Sequence, residues 1–372
     1  MSLPAIKKLG FGTMRLPQLP EGGVDVQRAV AMIRRGIDGG ITYVDTAYPY
    51  HRGQSENVTG LALKDGYRER VTLTTKLACW AVNERADMDR LLDEQLKKLD
   101  VPFLDFYLLH ALDADRYEKM TALGWKEFAA GALKDGRIRH IGFSFHGSPG
   151  LLEKLLREHP EMDFVQLQIN YVDWNNELIA SGRNYELARQ YGKDIVVMEP
   201  VKGGILASVR PEARKVLDEV DPKASSASLA LRFVASLPGV QVVLSGMSSP
   251  TQMADNLSAF ADFKPLNDQQ MAAVRRAGKV ILDAPIVPCT ACRYCVDGCP
   301  MHIQIPDIFQ RYNMLLTFGE HFRPHGLYRE LIEAGSGRAG DCIGCGQCEG
   351  ACPQHIGIIE QLAKASEKLD QP

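Results

Sequence analysis

Short runs rich in β-branched and aromatic residues alternate along the chain with longer segments in which apolar residues recur at helical spacing. Eight such runs occur between residues 8 and 246: KLGFGTMRL, ITYVDTA, VTLTTKL, LDFYLLHA, IRHIGFSF, FVQLQIN, DIVVMEP and VQVVLSG. The helical spacing is clearest at residues 25–36, 88–99, 151–158 and 224–235. The pattern therefore predicts eight strands with helices between them.

Strands and helices that alternate eight times over about 250 residues are typical of a (β/α)8 TIM barrel, an α/β fold. An open Rossmann sheet is the alternative, and it would carry a G-x-G-x-x-G turn after a strand. The segment LGFGTM comes nearest to that turn and lacks the third glycine. We therefore predict a barrel, closed by a helix at residues 267–283.

Polar side chains follow three neighbouring strands of the predicted barrel, at the end where such barrels carry their chemistry. Asp45 ends the second strand with Tyr50 in the loop beyond it, Lys76 ends the third, and His110 ends the fourth. Each of them alone has an ordinary structural explanation, as a cap, a rim residue, a solvated lysine or a core histidine. Together they resemble a proton-delivery device, in which a cation held by a carboxylate stabilises the phenolate of a tyrosine acid.

Two cysteine runs with the same spacing, CTACRYCVDGCP and CIGCGQCEGACP, stand near the C-terminus. Their spacing, C-x2-C-x2-C-x3-C-P, is that of bacterial ferredoxins, in which the fourth cysteine of each run ligates the other cluster. The sequence thus predicts two [4Fe–4S] clusters with crossed ligation. One set is Cys289, Cys292 and Cys295 with Cys352, and the other is Cys342, Cys345 and Cys348 with Cys299.

Two other uses of these cysteines fit less well. A zinc site needs four ligands, usually as two C-x2-C pairs, so the third and fourth cysteines of each run would be surplus. A disulfide framework requires an oxidising compartment, and the N-terminal MSLPAIKKLGFG does not resemble a secretory signal. We therefore expect metal ligation in a cytoplasmic protein.

Composition separates the chain into two parts, because eight of its nine cysteines follow position 288. We predict a barrel at residues 1–283 and a small, mostly helical, ferredoxin-like domain at residues 284–372, with helical patches between the runs in IFQRYNMLL and LYRELIEA. The repeated His302 and His355 are expected to pack near cluster sulfurs. The net charge of −3 gives no excess of basic residues of the kind that binds nucleic acid. No apolar run is long enough for membrane insertion.

The segments DTAYPYHRGQSE, TTKL and YLLH resemble the signature segments of the aldo/keto reductases. This resemblance covers about residues 5–260 and implies that Asp45, Tyr50, Lys76 and His110 form that family's catalytic tetrad. The D-T-A-x-x-Y spacing makes Tyr50, not Tyr48, the matching acid.

The resemblance also implies that NAD(P)H lies across the barrel mouth. The residues that match the family's cofactor segments are Gly12, Thr13, Met14, Ser144, Gln168, Met198, Gly246, Ser248, Gln252 and Asn256. Members of the family usually have an aromatic residue after the seventh strand, where this chain has Met198. They commonly have an asparagine after the serine of the fifth strand, where this chain has Phe145 and His146. Gly246 and Gln252 stand where NADP-preferring members have cations, so we expect weak discrimination between NADP and NAD.

Three functional hypotheses follow. The leading one is an iron–sulfur aldo/keto reductase, which acts on a carbonyl or alcohol and exchanges electrons with a ferredoxin or flavodoxin-like partner through its clusters. In the second, the barrel has changed its cofactor, with Met198 making room for a flavin. In the third, the chain is a redox sensor or electron-relay subunit with little turnover.

Overall fold

The computed structural model describes residues 6–19, 22–177, 179–283, 286–287, 289, 293, 295–352 and 356–371. The chain forms two compact units. One consists of Met1–Gly203 and Asp221–Val274, and the other of Gly204–Val220 and Arg275–Pro372. The second unit therefore takes a short segment from within the predicted barrel. The boundary at residue 283 stays a prediction.

The first unit contains a closed barrel of eight parallel strands in chain order, in which β1 pairs with both β2 and β8. The strands are β1 (Leu9–Gly12), β2 (Tyr43–Asp45), β3 (Thr72–Leu77), β4 (Leu104–Leu112), β5 (Ile138–Phe145), β6 (Phe164–Gln168), β7 (Asp194–Met198) and β8 (Val240–Gly246). All eight predicted strands are confirmed. Closure of the barrel excludes the open Rossmann sheet.

Large apolar side chains fill the interior of this barrel, as expected for strands that are buried on both faces. Tyr43, Phe106, Phe164, Val242 and Leu244 form its core, with Leu108 and Val196. The rings of Phe106 and Phe164 lie 4.8 Å apart, edge to face. The packed interior leaves the ends of the strands as the place for chemistry.

The helices of the chain are α1 (Val26–Asp38), α2 (Ser55–Ala62), α3 (Arg85–Leu99), α4 (Ala114–Ala122), α5 (Trp125–Lys134), α6 (Pro149–Glu158), α7 (Ser181–Gln190), α8 (Pro211–Asp218), α9 (Ser226–Ala235), α10 (Pro250–Ala261), α11 (Asp268–Leu282), α12 (Ile305–Phe318), α13 (Pro324–Glu333), α14 (Gln347–Gly350) and α15 (Ile358–Leu369). Local chemistry sets several of their ends. Asp25, for example, caps α1 by accepting from the backbone N–H of Arg28 at 3.1 Å. In the described part of the chain, no helix is long and apolar enough to cross a membrane.

The second unit is mostly helical, as predicted, and its core combines cysteines with apolar residues of α12 and α15. Ile308, Phe309, Leu362 and Leu369 are buried there together with Cys295 and other residues. The two helical patches predicted between the cysteine runs are confirmed as α12 and α13. The only pairing of strand type that the described residues of this unit show is a single bridge between Ile303 and Gly337. Helices thus surround the cysteine loops.

Candidate active site and cysteine cavity

A buried ion pair lies at the mouth of the barrel, where β2 and β3 run side by side. Lys76 Nζ donates to Asp45 Oδ2 at 2.7 Å and to the carbonyl oxygen of Thr46 at 2.7 Å. Both charged side chains are almost fully buried, with 1% and 3% of their surface exposed. The pairing of Asp45 with Thr74 in adjacent strands sets this contact. An ammonium group has three N–H donors, so one remains after these two hydrogen bonds.

Tyr50 lies beside this pair because the loop after β2 turns sharply. It begins a short 3-10 turn, Tyr50–Gly53, in which His51 and Arg52 adopt left-handed backbone angles. Lys76 Nζ lies 5.1 Å from the centre of the Tyr50 ring, and the ring of His110 lies 6.2 Å from it. The structure therefore brings together all four residues that the sequence singled out.

Tyr48, the alternative acid, lies against a different lysine. Lys98 Nζ on α3 lies 4.2 Å from the centre of the Tyr48 ring. Lys98 also pairs with Glu94 at 2.6 Å, on the outer layer of helices. The geometry thus favours Tyr50 over Tyr48 as the tyrosine of the site.

Burial and charge have opposite effects on the pKa values of the ion pair. Burial raises the pKa of Asp45 above its ordinary range, although the positive charge of Lys76 opposes the rise. Burial alone would lower the pKa of Lys76, but the charges of Asp45 and Tyr50 raise it overall. Lys76 is therefore a cation at neutral pH.

The pKa of Tyr50 is raised above 10 by burial, which outweighs the stabilisation of its phenolate by Lys76. The phenol consequently keeps its proton at neutral pH. Lys76 limits the rise in the pKa and so keeps Tyr50 a better proton donor than burial alone would allow.

His110 is a neutral imidazole in this site. Burial lowers its pKa to about 2, with further lowering by the positive charges of Lys76, His146 and Arg116. Its Nδ1 is buried and has no hydrogen-bond partner among the described residues. A neutral ring of this kind can orient a carbonyl oxygen by hydrogen bonding without adding charge.

Three residues predicted to contact the cofactor are buried and hydrogen bonded within the protein. The hydroxyl of Thr13 donates to the carbonyl of Asp45 at 3.0 Å, and Ser144 Oγ accepts from the N–H of Ala111 at 2.7 Å. Asn256 Nδ2 donates to Ser245 Oγ at 2.6 Å. These contacts brace the strand ends, and a role towards a cofactor stays a prediction for all three.

Other predicted cofactor residues are accessible at the rim. Met14 is 53% exposed, and Gly246, Ser248 and Gln252 are exposed as well. The N–H of Ser248 donates to Gln252 Oε1 at 2.7 Å, which ties the start of α10 to the end of β8. Half-buried members of the predicted set are Gln168 and Met198, while Gly12 is buried. The accessible residues form one rim between β1 and β8.

Arg15 is a cation at this rim, and the missing side chain of Gly246 makes room for it. A Cβ at position 246 would lie only 2.8 Å from Arg15 Cγ, and a Cβ at Gly203 would lie 3.3 Å from Arg15 Nη2. The carbonyl of Arg15 accepts from Ser248 Oγ at 2.7 Å. Lys202, a second cation, which adjoins Gly203 in the chain, is paired with Asp173 at 2.6 Å.

Sequence reasoning missed two residues beside His110. Trp80 lies in the 3-10 turn Cys79–Ala81 after β3, with its ring 5.1 Å from that of His110. The guanidinium of Arg116, in α4, lies 5.7 Å from the Trp80 ring. The position of Trp80 just after a predicted strand was a usable signal. Arg116 lies in the helix after β4, six residues beyond His110, and no motif in the sequence singles it out.

Four cysteines of the second unit line one cavity. Cys299, from the end of the first run, lies there with Cys342, Cys345 and Cys348 of the second run. The remaining walls are mostly apolar, with Ile303, Ile305, Ile359 and Leu362 among them. The thiols therefore surround a space within an apolar shell, and this donor set fits a cubane cluster.

The other predicted ligand set, Cys289, Cys292 and Cys295 of the first run with Cys352 of the second, is described only in part. Cys295 is buried, and Cys289 and Cys352 pack against the same hydrophobic core. Cys292 and His355 lie outside the described residues. His302 has a left-handed backbone angle, and its carbonyl accepts from the N–H of Gly337 at 3.2 Å.

Among the described residues, no three His, Cys, Asp or Glu side chains approach closely enough to hold one metal ion.

Comparison with known proteins agrees with both parts of the chain. The model of the aldo/keto reductase family matches residues 8–279. The model of the 4Fe-4S dicluster domain matches residues 288–356.

Among individual proteins, the aldo-keto reductase YhdN of Bacillus subtilis (strain 168) is 36% identical over 145 residues, which are 37% of this chain and 43% of that protein. The probable aldo-keto reductase 1 of Glycine max is 27% identical over 210 residues, which are 54% of this chain and 57% of that protein. The chain thus spans about half the length of these two relatives. The holo form of the aldo-keto reductase AKR11C1 from Bacillus halodurans superposes with a TM-score of 0.60 at 25% identity, over 73% of this chain and 92% of that one. The chain belongs to the aldo/keto reductase family of oxidoreductases and carries a C-terminal 4Fe-4S dicluster domain.

Proposed function

We propose that this protein couples NAD(P)H-dependent reduction of a small carbonyl compound, or oxidation of the alcohol, to one-electron transfer through two [4Fe–4S] clusters. The observation that carries the proposal is the buried Lys76–Asp45 pair beneath Tyr50 and His110. Burying two charges costs free energy, which makes a purely structural role for this group a poor explanation.

Each of the four residues has a role in that chemistry. Tyr50 donates its proton to the carbonyl oxygen as the carbon receives hydride, and the cation of Lys76 stabilises the phenolate that remains. Asp45 holds Lys76 in place at 2.7 Å. His110, whose ring lies 6.2 Å from that of Tyr50, orients the carbonyl oxygen by hydrogen bonding.

The rim between β1 and β8 is suited to hold the dinucleotide. Its accessible residues are Met14, Gly246, Ser248 and Gln252, and Gln168 and Met198 lie half buried at the ends of β6 and β7. Arg15 is the cation closest to Gly246, and it could bind a phosphate of the dinucleotide there. A bound reduced nicotinamide supplies the hydride.

The two cysteine sets hold the clusters in this proposal, with Cys299 crossing to Cys342, Cys345 and Cys348, and Cys352 crossing to Cys289, Cys292 and Cys295. The lining of one cavity by Cys299 and the three thiols of the second run supports the first of these sets. A bound cluster accepts or gives one electron, and a ferredoxin or flavodoxin-like protein would be the partner for such electrons.

Replacing the proposed acid tests the function of the barrel. Tyr50→Phe should lower carbonyl reduction by roughly 10² to 10⁴-fold, the usual contribution of a general acid. Iron content should stay unchanged, because Tyr50 lies in the barrel unit. Steady-state kinetics with NADPH and NADH, together with iron analysis, measure both quantities.

Tyr48→Phe is the matched control, since Tyr48 is a tyrosine of the same loop that contacts Lys98 instead of Lys76. It should retain most of the turnover. If the Tyr48 variant loses activity and the Tyr50 variant does not, the assignment is wrong. If the wild type and both variants all show no turnover, a redox sensor or electron-relay subunit becomes the better description of this protein.

A further inference from the structure

One wall of the barrel mouth is a row of planar side chains that leads away from the proposed acid. The rings of Tyr50 and His110 lie 6.2 Å apart, and those of His110 and Trp80 lie 5.1 Å apart. The guanidinium of Arg116 follows at 5.7 Å from the Trp80 ring. The Trp80 side chain is large and apolar, yet 42% of its surface is exposed. The row thus ends in a cation, with an exposed aromatic surface between that cation and the acid.

Arg116 is held firmly but keeps hydrogen-bonding capacity. Its Nη1 donates to the carbonyl of Ala111 at 2.7 Å and pairs with Asp113 Oδ2 at 3.0 Å. Asp113 also caps α4 by accepting from the backbone N–H of Arg116 at 2.8 Å. Within the described chain, the Nε and Nη2 atoms of Arg116 make no hydrogen bond. Those two atoms lie on one edge of the guanidinium, the edge that binds carboxylates in bidentate pairs.

The positive charge of Arg116 reaches the site despite its pairing with Asp113. After burial, Lys76 and His146, it is the next cause that lowers the pKa of His110. Burial beneath neighbouring groups also lowers the pKa of His146, and the positive charge of Arg116 adds to that effect. Asp113 therefore does not cancel the charge of Arg116 at the mouth.

We propose that the barrel acts on carbonyl compounds that carry a carboxylate, with Arg116 binding the carboxylate and Trp80 packing against the part of the substrate that separates it from the carbonyl. This inference rests on the proposed function, because it places the carbonyl at Tyr50 and His110. The Trp80 ring lies between His110 and Arg116, so the two groups of the substrate must be separated by about the width of an aromatic ring. A 2-oxo acid, in which the two groups are directly bonded, would not reach both residues.

The test uses 4-formylbenzoate and its methyl ester, which share the aldehyde and the ring and differ in the charge and one methyl group at the carboxyl end. The measured quantity is the ratio of kcat/KM for the acid to kcat/KM for the ester. The wild type should prefer the acid. Arg116→Gln should lower the ratio about tenfold to a hundredfold, the usual effect of losing a hydrogen bond between charged groups. Arg116→Lys should restore part of the preference, because it keeps the charge without the planar edge.

Arg139→Gln is the matched control. Arg139 also stacks on an aromatic ring, with its guanidinium 3.8 Å from the centre of Phe103, and pairs with Asp105 at 3.2 Å. It lies near the start of β5, at the opposite end of the barrel from the mouth. The acid-to-ester ratio should be the same in this variant as in the wild type.

The outcomes separate this inference from the proposed function. If Arg116→Gln lowers kcat/KM equally for both substrates, Arg116 only positions α4 and the inference is overturned. If the wild type turns over neither substrate with NADPH or NADH, the proposed function fails, and calorimetric binding of 4-formylbenzoate then decides the inference. Tighter binding of the acid than of the ester, lost in Arg116→Gln, would support the carboxylate site, whereas equal binding would overturn it.

Discussion

At the scale of single residues, the site combines one fixed charge with two neutral proton carriers. Lys76 is the fixed charge, since its partners Asp45 and Thr46 enclose the ammonium group. Tyr50 and His110 are both uncharged at neutral pH, because burial raises the pKa of the first and lowers that of the second. A change of pH between 6 and 8 should therefore leave the charge of these three groups unaltered.

The low pKa of His110 predicts a pH-dependent stability. The ring has a pKa of about 2 in the folded protein and about 6.5 in the unfolded chain, so the unfolded chain binds more protons between these values. This contribution to stability is complete above pH 6.5 and is lost as the pH falls, by at most about 1.4 kcal/mol per pH unit. His110→Asn should therefore lose less stability than the wild type between pH 7 and pH 5.

Urea unfolding at the two pH values, under anaerobic conditions and followed by circular dichroism, measures that difference. Other histidines with lowered pKa values, such as His159, are present in both proteins and cancel in the comparison. An identical pH dependence in the variant would mean that His110 is already solvated in the folded protein.

Residue-level prediction worked where topology alone places a side chain. The carboxyl ends of parallel strands converge, so Asp45, Lys76 and His110 could be expected to meet. The predicted roles stay predictions where a side chain also has a local hydrogen-bond partner. Ser144 and Asn256 are hydrogen bonded to neighbouring strand ends, and no sequence pattern announces such contacts.

At the scale of elements, the loop between Cys295 and α12 brings Cys299 to the second cysteine run. Cys299 lines the same cavity as Cys342, Cys345 and Cys348, although more than 40 residues separate it from the first of them. The fourth cysteine of the first run thus lies beside three cysteines of the second run.

Crossed ligation predicts where damage to the first run appears. Anaerobically prepared protein should contain about eight irons, and Cys299→Ser should impair the cluster held by the second run. Iron and sulfide analysis with EPR of the reduced protein measures the loss. Cys79→Ala is the control, because Cys79 is buried in the barrel unit, where burial raises the pKa of its thiol to about 12. Selective loss of the cluster bound by Cys289 and Cys295 would instead indicate that each run holds its own cluster.

Element prediction succeeded for all eight strands, since each combines β-branched residues with flanking turns. It missed α15, although Ile358, Leu362, Ala365 and Leu369 recur at helical spacing and are buried. That helix begins only six residues after Cys352, so its apolar periodicity follows the cysteine run with almost no separating segment. The sequence pattern also did not predict α2 as a separate helix, because Ser55–Ala62 follows the turn at Tyr50 without a loop between them.

At the scale of the whole molecule, we expect the clusters to take part in turnover. Hydride carries two electrons and a cluster accepts one, so bound substrate, a second cofactor or a partner must divide the pair. Two clusters hold more redox capacity than a structural role needs, since one zinc ion could tie the same loops together.

Rapid mixing of the anaerobic protein, its clusters oxidised, with NADP⁺ and the alcohol form of the substrate, followed by freezing and EPR, tests this participation. Oxidation of the alcohol supplies two electrons, and each of two clusters can accept one. Clusters should become reduced on the timescale of turnover in the wild type and far more slowly in Tyr50→Phe. Clusters that stay silent, together with full turnover after Cys299→Ser, would leave the C-terminal unit as structure only.

The two compact units are interleaved along the chain. Gly204–Val220, which contains α8, belongs with Arg275–Pro372, although it stands between β7 and β8 of the barrel. The ion pair of Glu219 with Arg276 lies within that second unit. Neither unit is consequently one uninterrupted stretch of the gene. A cut at residue 283 would leave Glu219 with its partner Arg276 in α11, whereas a cut before α11 would remove that partner from the inserted segment, so a barrel expressed alone has to keep α11.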